Sequence, residues 1–153
     1  MPRVSDIALL NRNDQPTLCI RTRAKVQDLP QLIGMGYGRL AAYLSELGEL
    51  LSDIPYVAYH NMDMENLDVE IGFPIARAVN GKDDMQPGCI PAGKQVFCMY
   101  RGAYAQMAPV YEEMAAWIVD KGLLNTGVSY EFYYNGPGFS EDEYLTKIIM
   151  PVK

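Results

Sequence analysis

Hydrophobic positions recur along this chain with two periods, and each change of period marks an element. Residues 17–24 are rich in β-branched and aliphatic side chains and predict a strand. Ile33, Tyr37, Leu40, Leu44 and Leu47 then follow the i, i+3, i+4, i+7 rule, which predicts a helix with one apolar stripe. Asp28 is placed to cap that helix, Leu29-Pro30 to form its first turn, and Gly48 to end it in the left-handed conformation. Two strands follow near 55–60 and 67–74, with MDMEN as the turn between them. The order then returns: a strand at 95–101, a helix over about 105–121, and strands at 128–134 and 144–150 separated by NGPGFSEDE. Residues 76–90, rich in Gly, Asp and Pro, read as the linker between the two sets.

The residues repeat as well as the pattern. YGRLAAYLSELG (37–48) aligns with YEEMAAWIVDKG (111–122), with Tyr, Ala, Ala and Gly coincident. In the same register Tyr56 meets Tyr130, Tyr59 meets Tyr133, and Asn61 meets Asn135. After a small gap PTLCIRTRA resembles KQVFCMYRGA, with Cys19 against Cys98, and VEIGFP resembles TKIIMP, with Pro74 against Pro151. The chain reads as one domain, 1–153, made of repeats at about 15–75 and 94–152. The expected fold is α+β: duplicated βαββ units joined in a mostly antiparallel sheet, both helices on one face, and a ligand groove at the pseudo-twofold.

Composition removes several function classes. The 153 residues are 49% hydrophobic, which excludes a disordered chain, and the longest apolar runs fall far short of the ~20 residues of a membrane span. Charge interrupts every apolar stretch of the first residues, so no secretory signal is read and a cytoplasmic location is expected. A net charge of −6, with no basic cluster beyond Arg21, Arg23 and Lys25, argues against direct nucleic-acid binding. An acidic field favours neutral or cationic small ligands. Cys19, Cys89 and Cys98 are odd in number and lack CxxC spacing, so they read as reduced thiols. No nucleotide, esterase or metalloprotease motif occurs, and a single histidine excludes a multi-histidine metal site; no metal or cofactor is expected.

Candidate chemistry centres on VSYEFYY. Alternation sets Val128, Tyr130, Phe132 and Tyr134 on one side, apolar enough to lie under the helix, and Ser129, Glu131 and Tyr133 on the other, with Val57 and Tyr59 at the matching positions. A mid-strand carboxylate among aromatics is costly unless it is paired, hydrogen-bonded or protonated. Glu131 is therefore either the charged floor of a tyrosine-walled pocket for a flat cationic compound, or a solvated residue paired with Lys147. Asp68 and Glu70 alternate with apolar residues and read as a solvated outer face, the alternative being a carboxylate pair for acid–base chemistry, and His60 reads as a solvated turn residue, the alternative being a member of a catalytic triad. Cys98 and Trp117 read as core, with Trp117 also conceivable at a pocket edge.

The order and spacing of these pieces resemble the GyrI-like small-molecule-binding domain, also called the AraC-type effector-binding domain. The resemblance spans nearly the whole chain: Leu29-Pro30, Tyr37, Leu40, Tyr43 and Gly48; Pro55, Tyr59, Asp68-Val69-Glu70 and Pro74; Ile90-Pro91-Ala92-Gly93 and Gly102-Ala103-Tyr104; Tyr111, Trp117 and Gly122; Tyr130-Glu131-Phe132-Tyr133 and Ile149-Met150-Pro151-Val152. It implies a free-standing bacterial member without the helix-turn-helix reader of the multidrug-responsive transcription regulators. It also implies that Glu131 meets cationic aromatic drugs, with Tyr133, Tyr59, Tyr104, Trp117 and Tyr37 around it. Three roles follow from the resemblance. The first is sensing or sequestration of aromatic, cationic or amphipathic compounds. The second is hydrolysis of cyclopropane-bearing natural products by Glu131 with Tyr104 or Tyr133. The third is inhibition of a protein partner such as DNA gyrase. A homodimer is left open.

Overall fold

In the computed structural model, which describes residues 3–153, the chain forms eight strands and two helices. They are β1 (Ala8–Arg12), β2 (Gln15–Ala24), α1 (Leu29–Leu47), β3 (Tyr56–Tyr59), β4 (Leu67–Pro74), β5 (Gln86–Ile90), β6 (Gly93–Arg101), α2 (Ala108–Asp120), β7 (Ser129–Tyr133) and β8 (Leu145–Pro151). The α+β class of the sequence reading holds, and six of the eight strands and both helices lie where the periodicity puts them. β1 and β5 were not foreseen. QPGCI, with its proline and glycine, lacks a strand pattern and fell inside the expected linker; ALLNR is five residues long with no alternation. Both are outer strands, held by backbone pairing to a neighbour.

The chain divides into two compact units. The α1 unit, Asp14–Pro91, has the antiparallel order β5-β2-β4-β3. The α2 unit combines the residues up to Asn13 with Ala92–Lys153 and has the order β1-β6-β8-β7. Each outer strand thus precedes in sequence a strand it does not pair with: β1 leads into β2 but pairs with β6, and β5 leads into β6 but pairs with β2. The repeat extends to single bridges, Leu51 with Ile75 in one unit and Asn125 with Val152 in the other.

Each helix buries its stripe on its own sheet. In the α2 unit Val110, Met114 and Ile118 pack on Val96, Cys98, Tyr100, Ile148 and Met150. In the α1 unit Leu40, Leu44 and Gly36 are buried, and Gly36 lets the helix approach closely, since a Cβ there would stand 3.3 Å from Ile71. Gly48 closes α1 at φ 67°, as its sequence position predicts. Asp28 precedes the helix but makes no side-chain cap, because a 3₁₀ turn over Val26–Asp28 already gives it helical torsions. Asp28→Ala is therefore expected to change stability by no more than about 0.5 kcal/mol in a thermal melt, below the usual cost of losing a cap.

One register detail corrects the repeat. Ile148 lies opposite Cys98 and its repeat mate Ile71 lies opposite Ile20, so Cys98 corresponds to Ile20 and not to Cys19. A one-residue offset moves a side chain to the other face of a sheet. Cys98 accordingly packs under α2, whereas Cys19 faces away from α1. No helix among the described residues is long and apolar enough to cross a membrane.

Candidate functional site

Strand register decides which face carries Glu131. Glu131 lies opposite Ile148 and Tyr133 opposite Thr146, while Ile148 and Thr146 lie opposite Cys98 and Tyr100. Those residues form the floor under α2. The face assignment read from the sequence is therefore reversed: Glu131 and Tyr133 share the helix-bearing face, and buried Tyr130 and Phe132 lie on the other. Alternation separates the two faces of β7, and pairing with β8 decides which of them meets the helix. The alternative of a Glu131–Lys147 pair falls with it. Lys147 lies opposite Phe132, on the far face, with its ammonium 4.9 Å from the Phe132 ring centre.

The Glu131 carboxylate is held from two sides. Tyr133 donates its hydroxyl to Oε1 at 2.8 Å, and Tyr111, from the first turn of α2, donates to Oε2. Above them lies an aromatic cluster. The Tyr104 ring meets Tyr133 edge-on at 5.4 Å and stacks on Tyr144 at 5.0 Å, with Tyr104 itself partly exposed. Burial pushes the Glu131 carboxyl up from the ordinary carboxylate range, and the two phenols that hydrogen-bond its charged form offset only part of that. Burial, with Tyr144 and Glu131 nearby, pushes the Tyr104 phenol up to about 12, so it stays protonated.

Of the residues expected at a site, the structure brings Glu131, Tyr133 and Tyr104 together. Tyr37 and Tyr59 belong to the α1 unit, where Tyr37 tilts against Phe73 at 5.3 Å and Tyr59 lies opposite Val69. They are the repeat mates of Tyr111 and Tyr133, with Val57 in place of Glu131. Trp117 packs against the core under α2 and carries the Lys121 ammonium 5.4 Å from its ring centre. Tyr111 and Tyr144 were missed as site residues. Tyr111 enters the sequence reading as a repeat and resemblance position, and its bond to Glu131 depends on the packing of α2 on β7.

A buried carboxylate in the α1 unit overturns the solvated reading of its strand face. Glu70, expected on a solvated outer face, is 7% exposed. It accepts a hydrogen bond from the buried Tyr56 hydroxyl, and its Oε1 lies 3.1 Å from His60 Nε2. His60 is likewise drawn out of the solvated role expected of it. Asp68, two residues away on the same strand face, is partly exposed and takes a two-pronged bond from Arg21, which lowers its carboxyl pKa. The Cys19 thiol, pushed up to about 12 by burial and the Glu70 charge, is no nucleophile.

No group of three or more His, Cys, Asp or Glu among the described residues could hold a metal ion. The chemistry available at Glu131 is that of a carboxyl set among phenols: attraction of a cation, hydrogen bonding, and proton transfer.

Solved structures share this fold. The EcmrR C-terminal domain superposes with a TM-score of 0.83 at 22% identity, covering 98% of this chain and 98% of that one. EcmrR in its DNA complex matches with the same TM-score at 21% identity over 98% of this chain, and this chain spans 58% of the length of that one. A hydrolase from Listeria innocua matches at 0.73, with 14% identity over 100% of this chain and 94% of its own. SAV2435 bound to tetraphenylphosphonium matches at 0.63, with 15% identity over 97% and 94%. At such identities the likeness speaks for the fold alone. No curated protein sequence matches the chain. The profile of the GyrI-like small molecule binding domain matches residues 6–153, nearly the whole chain, and the protein therefore belongs to the GyrI-like small-molecule-binding family.

Proposed function

We propose that this GyrI-like domain binds an aromatic, cationic or amphipathic compound at Glu131, and serves to sense or sequester it. Glu131 supplies the charge, Tyr133 and Tyr104 the aromatic surface, and Tyr111 and Tyr144 complete the cluster. The observation that carries the reading is the Glu131 carboxyl, held by two phenols, with aromatic rings packed beside it. A half-buried carboxylate held by neutral hydroxyls gains from an incoming cation, and the ring faces add cation–π attraction of about 0.5–2 kcal/mol. SAV2435, which shares the fold, binds tetraphenylphosphonium, a permanent aromatic cation.

Titration calorimetry with tetraphenylphosphonium tests the reading. Affinity is expected to rise with pH as Glu131 loses its proton, because the upward displacement of its carboxyl leaves part of the population protonated, then to level off. A neutral triphenyl analogue should bind more weakly and without pH dependence. Equal affinity for the two compounds at every pH would refute the role of the charge.

A second reading, hydrolysis of a reactive small compound, draws on the same geometry. A carboxyl with a raised pKa beside two hydroxyls can exchange protons with a substrate. It predicts turnover by the wild type that Glu131→Gln abolishes, read by chromatography of the incubated compound.

A further inference from the structure

The α1 unit contains a hollow that the Glu131 reading does not use. Leu32, Met35, Gly36 and Arg39 line it from α1 at i, i+3, i+4, i+7 spacing, and Ile20, Thr22 and Ile71 line it from the sheet. Its volume is about 240 Å³, room for about eight waters or a ligand of similar heavy-atom count. The corresponding place in the α2 unit is filled. Val69 and Thr146 are repeat mates, and they lie opposite Thr22 and Tyr100, so Thr22 stands where the other unit has the fully buried Tyr100 ring.

The mouth of the hollow is polar. Arg39 reaches across it to Asp84 with a two-pronged ion pair, while the Arg21 guanidinium is held by Asp68 on the far face of the sheet. Asp84 belongs to a strap on the segment that had read as a plain linker. Lys82 and Met85 exchange backbone hydrogen bonds around Asp83, which holds a left-handed φ of 56°. The strap is tied along α1 by three further contacts: Tyr43 donates to the Asn80 carbonyl at 2.9 Å, the Lys82 ammonium lies 5.6 Å from the Tyr43 ring centre, and it lies 3.7 Å from the Glu46 carboxylate.

We propose that this hollow is a second ligand site, which takes a small carboxylic acid with an apolar body, short-chain or monocyclic aromatic, whose carboxylate replaces Asp84 on Arg39. Two observations select this class. The floor of Ile20, Leu32 and Ile71, with the exposed Met35 at the mouth, suits a hydrocarbon body. The Arg39 guanidinium is pre-shaped for two-pronged carboxylate binding, and its bond to Asp84 is exposed on both sides, where ion pairs are worth about 0–1 kcal/mol. Exchange of one carboxylate for another there is cheap, and burial of the apolar body favours the incoming one.

The test is a methyl-resolved NMR titration of the full chain, labelled at Ile and Met, with benzoate and hexanoate. Saturable shifts are expected at the Ile20, Ile71 and Met35 methyls. Benzyl alcohol and benzylammonium should give much weaker shifts there. Arg39→Gln should weaken benzoate by about tenfold or more, as expected for loss of a charge-assisted bond, with an otherwise unchanged methyl spectrum as proof of folding. Asp84→Asn, which frees Arg39, should tighten it. Glu131→Gln should leave it unchanged, so failure here and failure of the cation reading are read separately. Absent or non-saturating shifts at these methyls, benzyl alcohol as good as benzoate, or an indifferent Arg39→Gln would each overturn the proposal.

Discussion

Glu131→Gln is expected to weaken tetraphenylphosphonium by at least about 30-fold at pH 8, a loss of about 2 kcal/mol, while making the empty protein more stable. The binding loss follows from removing the single charge beneath the aromatic cluster while the rings, and their share of the attraction, stay in place. The stability gain follows from the direction of the Glu131 shift. Its carboxyl holds a proton more tightly folded than unfolded, so the native state binds more protons between the unfolded and the folded pKa. Stability contributed by the protonated group is full below the unfolded value and is lost as pH rises through the folded one. Above that range wild type carries an unfavourable, half-buried charge that Gln lacks. The variant should melt higher at pH 8, by about 2–4 °C for each kcal/mol recovered in a chain of this length, and the difference should shrink toward pH 4. Calorimetric melts at the two pH values with parallel cation titrations check both halves. A variant that binds the cation as well as wild type would sink the proposed site; one that melts lower at pH 8 would show that Glu131 is stabilising.

Gly72→Ala should cost about 3 kcal/mol and lower Tm by about 6–12 °C. Gly72 lies opposite Tyr56, and a Cβ there would stand 2.7 Å from the Tyr56 hydroxyl and 2.8 Å from its ring carbons. Tyr56 is fully buried, so the ring cannot swing into solvent. Its displacement strips Glu70 of a hydroxyl donor, adding the cost of an under-bonded buried carboxylate to that of overpacking. Because the two losses share one ring, they should be non-additive. Adding Tyr56→Phe to Gly72→Ala removes the closest clashing atom, and the pair should be less destabilised than the sum of the single changes. An unchanged melting curve for Gly72→Ala would mean that the Tyr56 ring is free to move.

Much of the fold was legible because its signals are local. The α1 stripe, the Gly48 stop and the four strands that follow the helices each depend on neighbours within one turn or one pleat. The repeat was legible because Tyr, Ala, Ala and Gly recur in one register across both helices. The site was half legible. Glu131 stood out as a charge in an aromatic strand, and Tyr104 and Tyr133 were found with it. Tyr111 was not, because its bond to Glu131 crosses from helix to sheet. Glu70 was misread for a related reason: a strand that alternates charged and apolar residues looks solvated on its charged side. Tyr56 and His60, brought in by the neighbouring strand β3 and its end, turn that side into a buried cluster.

By itself, then, the sequence determined six of the eight strands, both helices, their duplication, the α+β class and the carboxylate at the centre of the candidate site. Those properties rest on short-range periodicity, on capping geometry and on residue type. Only the tertiary structure decided which face of β7 meets α2, that β1 and β5 are strands at all, that Cys98 corresponds to Ile20, and that Glu70 is buried. Each of these depends on which strand lies beside which, and on the register between them. A pleated strand offers two faces of similar polarity, and pairing and helix packing, which join residues far apart in the chain, choose between them.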